Sequence, residues 1–156
     1  MFKNLKVFSY YLMVFSISVF AEEAKDEAPK QIIPKYKEYY FNQGPDEPQN
    51  VVLNSKKDFE ESLHPNIRDF VNKRIGRIDL KKQTAVLIAM GTQKSGGFKI
   101  VIDKVIELGD TVNIEYHFEA PKPGAPVTLA LTTPFHLLIF EKKFNNVELT
   151  TSAAAK

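Results

Sequence analysis

The chain has 156 residues, with 21 Lys and Arg against 19 Asp and Glu, and no cysteine. That length suits one hydrophobic core rather than two. The lack of cysteine excludes disulfides, Fe–S clusters, thiolate zinc sites, a cysteine nucleophile and a lipid anchor on an N-terminal cysteine.

Lys3 and Lys6 precede an uncharged apolar run from Val7 to Phe20, and Val19-Phe20-Ala21 offers small or β-branched residues where a signal peptidase reads. The run is shorter than the ~20 residues of a spanning helix, and Glu22-Glu23 follows at once. Residues 1–21 are therefore expected to be a Sec-type signal peptide. The mature protein would be periplasmic or secreted from a bacterium, with no stable membrane anchor after cleavage. Loss of Lys3 and Lys6 leaves 19 basic and 19 acidic residues, without the basic excess of a nucleic-acid binder.

Residues 22–35 are charged and rich in Ala and Pro, and read as a disordered lead. The cluster Tyr36, Tyr39, Tyr40 and Phe41 suits a first strand. The stretch from Asn42 to Pro48 breaks it, and Val51–Leu53 suits a second. Ser55 is a good N-cap, and Phe59, Leu63, Ile67, Phe70 and Val71 form one apolar stripe. Pro65 divides that stripe into two short helices, Lys56–Leu63 and Pro65–Arg74, with Gly76 as the stop.

From Thr84 the period becomes two. Ala85–Met90 is apolar on both faces, as in a central strand. Phe98, Ile100 and Ile102 alternate with polar positions, and the phase slips near Lys104-Val105-Ile106, which predicts a bulge. Gly109-Asp110 suits a two-residue hairpin turn, and Val112, Ile114, Tyr116 and Phe118 then alternate as an inward face. After the Pro-rich stretch Ala120–Pro126, Val127, Leu129 and Leu131 alternate again. Phe135–Phe140 reads as an interior strand, and residues 144–156 as a short hairpin or flexible tail. The expected fold is mainly β (α+β). It is an antiparallel, sandwich-like domain over residues 36–143, with one or two short helices between the N-terminal strands and the main sheet.

Catalytic motifs fail on inspection. Ser95 lies in Lys94-Ser95-Gly96-Gly97 with Gln93 before it and a strand after it, whereas a nucleophile elbow needs Gly-x-Ser-x-Gly between strand and helix. Gly91 and Gly96 have phosphate-loop spacing without the Lys-Ser/Thr that must follow. Asp46-Glu47 and Glu60-Glu61 are adjacent pairs whose side chains diverge, as solvated charges do. Glu115, His117 and Glu119 share one face of a strand, which suits either a divalent metal or an ordinary polar exterior; no fourth ligand can be named. The expectation is no catalytic residue, no cofactor and no metal. The loop Thr92, Gln93, Lys94, Ser95, Gly96, Gly97 and Phe98 joins two strong strands and is the candidate partner-binding segment, because loops held on rigid sheets often carry binding.

Taken in order, the strand ending at Gly91, Gly96-Gly97-Phe98, the hairpin, the connector Pro121–Pro126 and the closing Pro134-Phe135 strand resemble the C-terminal domain of the PrcB family. That family comprises small exported bacterial proteins associated with secreted proteases. The resemblance implies a non-enzymatic module whose partner is an exported protease or another envelope protein. It supplies no catalytic residues. A second reading is a proteinaceous protease inhibitor using the 92–98 loop, although the Asn-Pro-Thr-Thr-Gly stretch of chagasin-type inhibitors is absent. A third is a metal-dependent hydrolase built on Glu115, His117 and Glu119.

Overall fold

The computed structural model describes residues 31–152. The expected signal peptide, residues 22–30 of the lead and residues 153–156 of the tail lie outside the described residues. Seven strands and two helices follow in chain order: β1 (Tyr36–Phe41), β2 (Gln49–Leu53), α1 (Lys56–Glu61), α2 (Pro65–Arg74), β3 (Thr84–Ala89), β4 (Lys99–Leu108), β5 (Thr111–Glu119), β6 (Phe135–Phe140) and β7 (Asn146–Thr151). The protein is mainly β. One sheet has the order β1-β6-β3-β2, all antiparallel, and the other the order β4-β5-β7.

The helices form where their capping groups dictate. Ser55 accepts the Asp58 N–H at 3.1 Å, and the Asp58 carboxylate accepts the Asn54 N–H at 2.9 Å. These bonds satisfy donors that a helix start leaves unpaired. Burial pushes the Asp58 carboxyl up, but the hydrogen bonds from Asn54 and Ser55 outweigh it and hold it below the usual carboxylate range. Pro65 opens α2 at its first turn, where a missing N–H costs nothing.

Three layers result. Leu53, Ala85, Leu87, Phe135, Leu137 and Ile139 face the helices and pack with Leu63, Ile67, Val71 and Leu80. The alternate residues Val86, Ile88, Leu138 and Phe140 face the second sheet and meet Ile100, Val105, Val112, Ile114 and Tyr116. Both faces of β3 and β6 are thus covered, which explains their unbroken apolar sequences. Each large side chain fully buried here contributes roughly 1.5–3 kcal/mol.

Several expectations need correction. The alternation Val127–Leu131 forms no strand: the segment pairs with a loop instead of a sheet, and Leu129 and Leu131 are 95% and 74% exposed. Phe118 is 38% exposed: the pairing of β5 with β7 ends at Tyr116, so Phe118 has a strand neighbour only on its β4 side. The chain end from Phe144 is not a local hairpin. Phe144 is fully buried between the sheets, and β7 then runs parallel to β5, with Asn145 and Asn146 N–H groups donating to Asp110 O. Thr150 and Thr151, read as the start of a frayed tail, lie within that strand. In the lead, expected to be disordered, Ile32 exchanges backbone hydrogen bonds with Glu107 and Pro34 is buried. The irregularity in β4 falls between Ile102 and Lys104, just before the expected position.

Candidate functional site

The 92–98 loop leaves β3 at the same end of the molecule as the segment that leads into β6. Gln93 and Thr132 exchange backbone bonds, Gln93 N–H to Thr132 O at 2.7 Å and Thr132 N–H to Gln93 O at 3.1 Å. Gly96 N–H donates to Thr128 O at 2.9 Å, and Thr132 Oγ1 donates to Ser95 O at 2.9 Å. The neighbouring Thr133 carbonyl accepts Gly44 N–H at 2.7 Å. Three loops, around Gly44, Gln93 and Thr132, are therefore stitched side by side.

Two glycines permit this closeness. A Cβ on Gly96 would lie 2.3 Å from Thr128 Oγ1, so a side chain there would force the Thr128 hydroxyl aside. Gly97 has φ +88°, a conformation costly to any residue with a side chain. Phe98 is half-buried and packs against the inter-sheet core, and its carbonyl accepts the Tyr40 hydroxyl at 2.8 Å. Phe98 thus anchors the loop, while Thr92 and Lys94 face solvent. Gln93 turns its amide back to Met90 O at 3.2 Å, and the Ser95 hydroxyl donates to Gly96 O at 3.2 Å.

Leu129 and Leu131 complete the surface, and sequence reasoning missed them. Their alternation resembles that of a half-buried strand. The available warning was their position between Pro126 and Pro134 with no hairpin turn to supply a partner. Both are large apolar side chains presented to solvent on a backbone held by the ladder, an arrangement typical of contact surfaces.

Other candidates are placed apart from one another. His117 bonds Asp103 at 2.8 Å, and Glu115 and Glu119 lie opposite Lys104 and Lys99 in the β4–β5 ladder. Hydrogen bonds from His117 and then Ser152 hold the Asp103 carboxyl below its ordinary range. Among the described residues no group of three His, Asp or Glu side chains is placed to hold a metal ion. His64 caps α2, and His136 is buried beside Glu38 and Tyr40. Glu60 and Glu61 pair along the helix surface with Lys56 at 3.3 Å and Lys57 at 3.8 Å. A broad open recess of ≈ 1480 Å³ lies between α1, α2 and the turn at Asp79, lined by Phe59, Arg68, Arg77, Leu80 and Lys143 among others. Two of its cations are already engaged: Arg68 donates to Glu60 O and Lys143 to Leu80 O.

Fold and site together define a small three-layer β domain that displays a rigid, laced pair of loops. Residues 84–141 match the family model described as PrcB C-terminal, so this part of the chain is similar to that family. No curated protein and no solved structure matches the chain. The matched segment runs from β3 through β6 and contains the whole 92–98 loop and its 128–132 partner.

Proposed function

We propose that the chain is an exported, non-enzymatic protein-binding module that associates with an envelope or secreted protease through the surface formed by residues 92–98 and 128–132. The family match over residues 84–141 carries this reading, because it covers that surface entirely. Rigidity supports it further: a backbone already held by the ladder loses little ordering entropy on binding. Export rests on Lys3, Lys6, the apolar run and Val19-Phe20-Ala21.

The test has two arms. Mass spectrometry of the protein from the envelope fraction should find a chain beginning at Glu22; a retained Met1 overturns export. Tagged protein should recover a protease from envelope extracts, and the combined change Lys94→Ala, Leu129→Ser and Leu131→Ser should abolish that recovery. The variant should melt within about 0.5 kcal/mol per site of the parent, as exposed substitutions do. Unaltered recovery by the folded variant places the contact elsewhere. Titrating the protease with the protein separates assistance from inhibition, since an inhibitor stops turnover at stoichiometric ratio.

A further inference from the structure

We infer that the outer edge of β7 is a strand-addition site that accepts an extended, basic segment of another polypeptide. The inference needs neither the family match nor the 92–98 surface.

The backbone directions in β7 follow from its two ends. Asn146 N–H donates to Asp110 O at 3.2 Å, and Ser152 N–H donates to Tyr116 O at 2.8 Å. In a strand paired in parallel on one side, alternate residues direct both backbone groups to the neighbour. Residues 146, 148, 150 and 152 therefore face β5. Val147, Leu149 and Thr151 present their N–H and C=O groups to the open side. The Val147 and Leu149 side chains pack against the inter-sheet core, so these groups are held in a fixed row.

Open edges invite pairing, and proteins usually blunt them with short strands, charged side chains (lysine above all), proline, a bulge or a covering segment. The other three edges carry such devices. β4 has its irregularity beside Asp103 and is bridged by Ile32 at Glu107. β1 carries Lys37 in mid-strand. β2 is five residues long, follows Pro48 and runs directly into α1. β7 contains no lysine, proline or bulge, its single charge is the acidic Glu148, and no described segment lies along its outer side. Its sheet is also one strand narrower than the sheet it covers.

The side chains specify the occupant. Glu148 is exposed and has no ion pair among the described residues, between Val147 and Leu149 that point inward. An incoming strand that places an apolar residue beside Val147 and Leu149 and a Lys or Arg beside Glu148 satisfies both faces.

Hydrogen exchange of the full chain tests this directly. In the free protein the amides of Val147, Leu149 and Thr151 should exchange fast, while those of Glu148 and Thr150 are protected. The probe is a blocked peptide of about eight residues, alternating valine with threonine around one lysine. It should slow exchange at the three outward amides by at least about tenfold. Thr151→Pro removes an outward donor and no bond to β5, and should weaken the peptide about tenfold. Glu148→Lys should lose the lysine peptide and gain its glutamate counterpart. Slow exchange of the outward amides in the free monomer overturns the proposal, because the edge is then already covered. Protection that rises with protein concentration alone also overturns it, in favour of pairing between two copies. Unchanged peptide affinity in both variants does the same.

Discussion

His136 is 6% exposed on the inner face of β6, with the Tyr40 ring edge-on at 5.0 Å and Glu38 Oε1 at 3.4 Å from its Nδ1. That contact does not satisfy hydrogen-bond geometry, and the Nδ1 has no hydrogen-bond partner. Burial lowers the imidazole pKa from 6.5 to about 4. The unfolded chain therefore binds a proton between these two values while the folded protein does not, and stability must fall as pH falls through that window. The slope approaches about 1.4 kcal/mol per pH unit and levels off below about pH 4. Urea denaturation at pH 7, 5.5 and 4.5 should show this loss, and His136→Leu should flatten it; an equal slope in the variant removes His136 as its source. A second contrast at this scale separates Ile114 from Phe118. Ile114 is fully buried, so Ile114→Asp should abolish cooperative unfolding by burying a charge. Phe118 keeps an aromatic contact with Tyr116 at 5.6 Å and is 38% exposed, so an Asp carboxylate there reaches water and Phe118→Asp should cost about 1–2 kcal/mol, far less than Ile114→Asp. Calorimetry of both variants checks the pair.

The elements divide according to how local their causes are. The α1–α2 break was legible because Ser55 and Pro65 act within a turn of themselves, and the inward face of Val112, Ile114 and Tyr116 was legible because alternation is a property of the strand alone. Phe118 and Val127–Leu131 carried the same pattern, but Phe118 lies past the end of the β5–β7 pairing and Leu129 and Leu131 meet no layer at all, facts fixed by other parts of the chain. The 92–98 loop was visible as a loop, whereas its ladder with Thr128 and Thr132 joins residues more than thirty positions apart. The parallel placement of β7 likewise depends on a junction that sequence does not display. There the fully buried Thr84 hydroxyl donates to Asn54 Oδ1 at 2.7 Å and accepts Phe144 N–H at 3.0 Å, tying β2, β3 and the β6–β7 link together. Thr84→Val preserves shape and removes both bonds. Denaturant titration should show a loss of about 1–3 kcal/mol, the cost of a buried N–H left without an acceptor.

At the scale of the whole molecule, the family segment and the folding unit are different objects. Residues 84–141 contain β3 and β6, but the strands that flank them, β1 and β2, and the helices over one face lie outside that segment. A fragment of residues 84–141 should therefore fail to unfold cooperatively, while a fragment of residues 31–152 should melt as one unit; circular dichroism of the two decides it. The position of β6 also sets a schedule. It is hydrogen-bonded to β1 along Tyr36–Phe41 on one side and to β3 along Thr84–Ala89 on the other, so the central sheet cannot close until residues 135–140 are available. As the chain is synthesised from its N-terminus, β2 and β3 and the β4–β5 hairpin can pair, but β1 stays without a partner until Phe135–Phe140 is available. For a chain exported as proposed above, that delay would keep the central sheet open until late in the transit.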